Sequence, residues 1–328
     1  MLLLLPSLLR VGVGLPFARI EDAVVAAKPG DTVEVGAGDY PRTAVRITTP
    51  SLTILAVGRV RIDGKGFDYS GAGSVPRAAF QIEADGTTLR GFEITGAHNA
   101  SHNGAAVRIA AARNATVTDC DLHRNDMGVM SNGRDGDPHA AENQTFERCH
   151  VHHNGDPGEP GQNHNLYLGG TSATLRFCEI DHALTGHDLK SRAHLLRLEH
   201  CWLHDAANRE LDLVDAWDTE RPGSDAALVG CVVQKAPSEA GNHNVVHFGH
   251  EKGRRLGTLR FDHCTIESPF SAPVVALEGG TTAEAVDCLV QASHLGDVGV
   301  RTGAPAPTYR WAGEGRWTKA TGSFVGAG

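Results

Sequence analysis

The sequence predicts an all-β chain folded as one right-handed parallel β-helix, a solenoid of short coils with an open face suited to an elongated substrate. Three observations predict it: a cysteine-marked strand that recurs at a near-constant interval, few aromatic residues and abundant glycine. The chain has 328 residues, of which 41% are hydrophobic, only 5% are aromatic and 39 are Gly. That balance favours many short strands and turns over a large aromatic-rich core. The length exceeds an ordinary domain, but each coil of a solenoid buries its core against neighbouring coils only. The whole chain, 1–328, is therefore read as one unit: cap and first coil over about 9–40, repeat coils over about 41–303, and an irregular last coil or tail over 304–328.

The repeat is carried by the seven cysteines. They occur as Asp119-Cys120-Asp121-Leu122, Arg148-Cys149-His150-Val151, Phe177-Cys178-Glu179-Ile180, His200-Cys201-Trp202-Leu203, Gly230-Cys231-Val232-Val233, His263-Cys264-Thr265-Ile266 and Asp287-Cys288-Leu289-Val290. Each Cys precedes Leu, Ile or Val by two residues, which reads as a period-2 strand with Cys on its buried face. Many have another apolar residue three positions before, such as Val117, Leu175 or Leu198. That odd offset breaks the alternation, so the chain bends between the two positions. Successive cysteines lie 29, 29, 23, 30, 33 and 24 residues apart, and Phe92 holds the same register one coil earlier. One strand recurring at such spacing is a solenoid signature. The seven cysteines are expected as one interior column of reduced thiols, since stacked side chains rarely meet disulfide torsions.

The ends follow from the same logic. Met1 to Leu9 is apolar without a basic segment before it, and reads as a truncated leader or a first strand running from Leu9 to Val13. Pro16 to Ala27 carries Phe17, Ile20, Val24 and Ala27 on one helical face, and Lys28-Pro29-Gly30-Asp31 stops it. A helix here would plug the open end of the solenoid. No later segment is apolar and long enough to span a membrane. The net charge of -9 argues against nucleic-acid binding, which calls for a basic stripe.

The stretch Ala18-Arg19-Ile20-Glu21-Asp22-Ala23-Val24, then Ala27-Lys28-Pro29-Gly30-Asp31-Thr32-Val33 and Gly36-Ala37-Gly38-Asp39-Tyr40, resembles the start of pectate-lyase-like right-handed β-helix proteins. With the cysteine-register coils, the resemblance covers nearly the whole chain. It implies a capping helix, a carbohydrate-directed groove and a secreted or periplasmic location. The superfamily includes polysaccharide lyases, glycoside hydrolases, epimerases and binding proteins, so fold does not choose the activity. No complete catalytic signature of one lyase family is present.

Candidate chemistry lies on the other strand of four consecutive coils: Asn163-His164-Asn165-Leu166-Tyr167-Leu168, Gly186-His187-Asp188-Leu189-Lys190-Ser191-Arg192, Arg209-Glu210-Leu211-Asp212-Leu213 and Asn242-His243-Asn244-Val245-Val246-His247. With Leu166, Leu189, Leu211 and Val245 inward, one outward column holds Asn165, Asp188, Glu210 and Asn244. The next holds Tyr167, Lys190, Asp212 and Val246, with Arg192 one step beyond Lys190. Insertions at 132–143, 155–162, 216–224 and 235–241 would wall a groove.

Eliminative cleavage of a uronate polymer needs a cation or amide on the carboxylate, a base for the acidified C–H and an acid for the leaving oxygen. Arg192 and Asn165 suit neutralisation, Lys190 the base, Tyr167 the acid, and His164 or His187 either proton-transfer role. Asp188, Glu210, Asp212, Asn244 and His247 are expected to contact an acidic polysaccharide. Three other readings stay open. Asp188, Glu210, Asp212 and Asp215 could serve a glycoside hydrolase. Lys190 among these carboxylates reads equally as a surface salt-bridge ladder, and His164 and His187 as inward structural groups. A carbohydrate-binding solenoid would need aromatic platforms, for which Trp202, Trp217 and Tyr167 are the candidates. No cofactor is called for. Calcium at Asp135, Asp137 or Asp156 lacks a loop motif. His123, His152, His153, His182 and His204, which follow the cysteines, read as a solvated edge beside the strands rather than a zinc site.

Overall fold

The computed structural model describes residues 6–134, 136–159, 163–215, 220–237, 241–251, 255–270, 274–278 and 280–290, and beyond these only the backbone of residue 291 and of strands at 296–299, 308–312, 316–318 and 323–325. Each regular coil contributes three strands. Two run in one sheet of 21 strands, and the third joins a separate sheet of 10. All pairings between coils are parallel until the C-terminal end, where Ser323–Val325 pairs antiparallel with Leu289–Gln291 and with Arg316–Thr318. The fold is the right-handed parallel β-helix that the repeat predicts.

The core is a set of side-chain columns running up the solenoid. One aligns Val33, Ile54, Leu89, Val117, Phe146, Leu175, Leu198, Leu228 and Phe261. All are buried. Burial of such side chains contributes on the order of 1.5–3 kcal/mol each. The seven cysteines are free and buried, one per coil. They do not lie within strands but at the bend between two of them, as between Gln144–Glu147 and His150–His152. The residue before each Cys has a left-handed backbone: Asp119, Arg148, Phe177, His200, Gly230, His263 and Asp287, with φ between 50° and 61°. One αL residue turns a corner without extra chain, and this corner is the break in alternation. The thiol then donates across the corner, as from Cys178 Sγ to the Arg176 carbonyl at 3.3 Å.

The first strand is Leu8–Val11, paired with Thr32–Pro41. The capping helix is shorter than the sequence predicts, Ile20–Ala26. Phe17 instead forms a parallel bridge with Val11, so sheet pairing takes the residues that helical periodicity claimed. Ile20, Ala23 and Val24 bury the helix against the first coil. Among the described residues no helix is long and apolar enough to cross a membrane.

Candidate functional site

The ten-stranded sheet sets the site. Its strands Leu166–Leu168, Leu189–Ser191, Leu211–Leu213 and Val246–Phe248 stack in register, with Leu166, Leu189, Leu211 and Val246 facing inward. Three of these four agree with the sequence. The fourth is corrected by one residue: Val246, not Val245, pairs with Leu211. The adjacent Val245 and Val246 permit two registers, and this one buries both Val246 and Phe248. The outward column therefore reads Met130, Tyr167, Lys190, Asp212 and His247 on successive rungs, about 4.8 Å apart. Val246, expected on this column, faces inward, and the same one-residue shift takes Asn244 out of the column of Asn165, Asp188 and Glu210.

Asn165, Asp188 and Glu210 are the second correction. They do not face outward; each is fully buried. They precede three-residue strands, where the chain turns a corner and two consecutive side chains point inside. There they close a polar ladder. Asn125 Nδ2 donates to Asn154 Oδ1 at 3.0 Å, Asn154 Nδ2 to Asn165 Oδ1 at 2.9 Å, and Asn165 Nδ2 to Asp188 Oδ1 at 2.9 Å. Burial pushes the Asp188 carboxyl well above its usual range, with Glu210 adding repulsion. Burial likewise pushes Glu210 up to about 8, opposed by Lys235 at 3.4 Å.

Asp212 is the hub of the outward column, itself buried. Its carboxylate meets His247 Nδ1 at 2.9 Å, Arg209 Nη1 at 3.2 Å, Lys190 Nζ at 3.3 Å and His187 Nε2 at 3.5 Å. Burial opposes its ionisation, but the His247 hydrogen bond and the His247 and Lys190 charges prevail and hold it well below the carboxylate range. Lys190 also meets Glu251 at 3.4 Å, and Arg192 shares the same carboxylate. The two cations thus straddle one anion. The Arg192 guanidinium lies 5.5 Å from the Tyr167 ring centre. Burial raises the Tyr167 phenol above its ordinary value, so it keeps its proton. Tyr167 and Met130 pack on Ala78, Ala105 and Met127, an apolar shelf outside the main core.

His164 and His187 stand behind this column, 4% and 7% exposed. The His187 amide donates to His164 Nδ1 at 3.0 Å, and the Arg209 amide donates to His187 Nδ1 at 3.1 Å. Both rings therefore carry hydrogen on Nε2 when neutral, and that of His187 faces Asp212. Burial pushes His187 down to about 4 and His164 well below its usual value. The rings stack at 5.1 Å. Gly186 makes room for them, since a Cβ there would overlap the Asn163 carbonyl and lie 2.5 Å from His164 Nδ1.

Three site residues were missed from sequence: Arg209, Glu251 and Glu278, the last 3.7 Å from His247 Nε2. Arg209 lies two residues before the strand Leu211–Leu213, and its position opposite the His187 coil was a usable signal. Glu251 follows its strand, its amide bonded to the buried Asp215. Of the residues weighed for calcium or sugar stacking, Asp135 and Trp217 lie outside the described residues. Asp137 caps His139 N, Asp156 pairs with His102 Nδ1 at 2.6 Å, and Trp202 is exposed on the other sheet.

No protein-family model matches the chain, and no curated protein matches its sequence. Among solved structures it is similar to an alginate lyase from Paenibacillus sp. str. FPU-7, with TM-score 0.59 and 16% identity over 93% of this chain and 99% of that one. It is also similar to pectate lyase Pel9A, with TM-score 0.53 and 13% identity over 93% and 76%, and to pectin methylesterase from carrot, with TM-score 0.53 and 11% identity over 93% and 88%. These likenesses show the fold alone, a parallel β-helix. They span lyases and an esterase, so the activity rests on the site.

Proposed function

We propose that the chain is a polysaccharide-lyase-like enzyme that cleaves an acidic, uronate-containing polysaccharide by β-elimination along the Tyr167–His247 column. The observation that supports this reading most is the shared anchor at Asp212: one buried carboxylate orients both an imidazole, His247, and an ammonium, Lys190, beside the guanidinium of Arg192.

The roles follow from charge and orientation. Arg192 takes the substrate carboxylate in place of Glu251, because a guanidinium forks onto a carboxylate. Neutralising that carboxylate acidifies the adjacent C–H. The His247 Nε2 lone pair removes that proton while Asp212 holds the Nδ1 hydrogen. The electron pair forms a C=C bond and expels the glycosidic oxygen, which takes a proton from the Lys190 ammonium. Lys190, read from sequence as the base, suits the donor role because two carboxylates bracket it. Tyr167 becomes the wall on which the sugar face rests, and His164 and His187 position the hub. Asn165, Asp188 and Glu210 support the corner from inside rather than binding substrate.

Hydrolysis by the sequence-suggested carboxylates is less supported. Asp188 and Glu210 are sealed inside, and Asp212 is held ionised by four donors, unlike a glycosidase acid. The test follows ultraviolet absorbance of unsaturated uronate products on a panel of acidic polysaccharides, with and without chelator. A rising signal, lost in Lys190→Ala, Arg192→Ala and His247→Gln with folding retained, supports elimination. Reducing ends without unsaturation move the reading to hydrolysis, methanol release to de-esterification, and silence in every assay to a binding scaffold.

A further inference from the structure

The 21-stranded sheet carries a second polar constellation, away from the Asp212 column. Strands Asp121–His123, His150–His152, Glu179–Asp181 and Trp202–His204 stack in register. Their outer positions, with the αL residues His153 and His182 that follow two of them, bring imidazoles from successive coils around one carboxylate. Asp181 is the centre, its side chain only 5% exposed. It meets His150 Nε2 at 2.6 Å and His182 Nδ1 at 2.6 Å, and His153 Nδ1 and His204 Nε2 at 3.9 Å each. The sequence suggested a solvated edge here. The convergence appears only when left-handed turns fold His153 and His182 back over Asp181.

The arrangement has the internal logic of a metal site. His152 Nε2 lies 3.0 Å from Asp121, which as an acceptor-only carboxylate takes the Nε2 hydrogen. The neutral ring then presents a bare lone pair at Nδ1. That lone pair points at His153 Nδ1, 2.8 Å away. A carboxylate behind an imidazole is the usual orienting partner of a metal-bound histidine. His150 plays the same part for Asp181 by bonding its other oxygen. The ligand atoms of His152, His153 and Asp181 all lie within 4.8 Å of one another. An ion at about 2.0–2.2 Å from each would draw them into tetrahedral spacing with small ring rotations. His153 and His182 are 39% and 46% exposed, so an ion can enter from solvent.

We propose that His152, His153 and Asp181, with solvent as the fourth ligand and His182 bonded to Asp181, bind a divalent transition-metal cation of the zinc class. Two imidazoles with one carboxylate select zinc, nickel or copper over calcium and magnesium, which prefer oxygen donors. The seven thiols are buried and do not compete in the folded chain. The site lies on the other sheet from Lys190 and is independent of the lyase reading.

The test is isothermal titration of chelator-treated, folded full-length chain with zinc chloride, repeated with calcium chloride, and with cobalt to read the visible spectrum. We expect one zinc ion per chain, no calcium heat at this site and a cobalt spectrum of tetrahedral N/O coordination. Asp181→Asn and the His153→Gln/His182→Gln pair should each weaken zinc at least tenfold, whereas His139→Gln, on a remote exposed ring, should not. The double variant changes half-exposed side chains and guards against misfolding of Asp181→Asn. Absence of zinc binding by the folded wild-type chain, or equal binding by the double variant, overturns the proposal.

Discussion

His247 donates its Nδ1 hydrogen to Asp212 across 2.9 Å, from the next rung of the sheet. That bond holds the Nδ1 hydrogen, so the proton that titrates is the one on Nε2, 3.7 Å from Glu278 Oε1. Burial lowers the His247 pKa, but its bonds to Asp212 and Glu278 outweigh burial and raise it above the ordinary value. A base acts only when deprotonated. The kcat/KM for the eliminative reaction should therefore rise with pH through a value above ~6.5. Asp212→Asn should move that limb to lower pH and cut kcat by about 10²–10⁴-fold. His247→Gln should abolish the limb. A profile unmoved by Asp212→Asn would remove His247 from the base role.

Glu251 pairs with both Lys190 and Arg192, the place that the proposed elimination gives to a substrate carboxylate. It is one-third exposed, so its competition is moderate and screened by salt. Glu251→Gln should lower KM for the acidic polymer several-fold at low ionic strength, with the gain shrinking as salt is added. Arg192→Lys should raise KM, since an ammonium cannot fork onto the carboxylate. Steady-state kinetics at two salt concentrations reads both. An unchanged KM in both variants would place the substrate elsewhere.

Buried imidazoles take stability away on the acid side. His187 has its folded pKa pushed down to about 4 by burial, and His164 is lowered for the same reason. In the unfolded chain both bind protons near ~6.5. Between those values the unfolded state holds more protons at these rings, so their contribution to stability falls as pH drops from about 6.5 towards 4. Asp188 and Glu210, raised by burial, act in the opposite sense over the same range, because the folded state holds their protons. The imidazole contribution is therefore read as a difference: thermal melts of His187→Gln should show a lower Tm than wild type at neutral pH, and the gap should close as pH drops towards about 4.5. A gap that stays constant from about pH 7 to about pH 4.5 would contradict the assignment of His187 as buried and neutral.

How much of this was legible from sequence depends on where alternation holds. Leu166, Leu189 and Leu211 lie within true strands, so period-2 reasoning put Tyr167, Lys190 and Asp212 on one outward column. At Asn165, Asp188 and Glu210 the same reasoning failed, because they sit at a corner where backbone direction changes and polarity serves an inner ladder. Amino-acid type did not reveal this: buried asparagine and exposed asparagine look alike until their hydrogen bonds are known. Glu251 was invisible because a loop, with no periodic register, brings it over Lys190. The cysteines were the strongest signal, since each marks the same αL corner in every coil, and the histidines beside them inherited that register without revealing that they converge on Asp181.

The inner ladder makes the last prediction. Asn154 uses its whole side-chain amide: Nδ2 donates to the Leu122 carbonyl at 2.9 Å and to Asn165 Oδ1 at 2.9 Å, and Oδ1 accepts from the Asn125 amide at 3.1 Å. It is fully buried. Asn154→Ala would leave several buried groups without partners, each costing about 1–3 kcal/mol. We expect a loss of about 3–5 kcal/mol once partial relaxation is allowed, read as a lower denaturant midpoint at unchanged slope. Because Asn165 links this rung to Asp188, the disturbance should reach the neighbouring coil. Asn165→Ala should then cost nearly as much, and the double variant less than the sum of the two. Full additivity would mean that the rungs act separately, and that the corner behind Lys190 is held by its leucines alone.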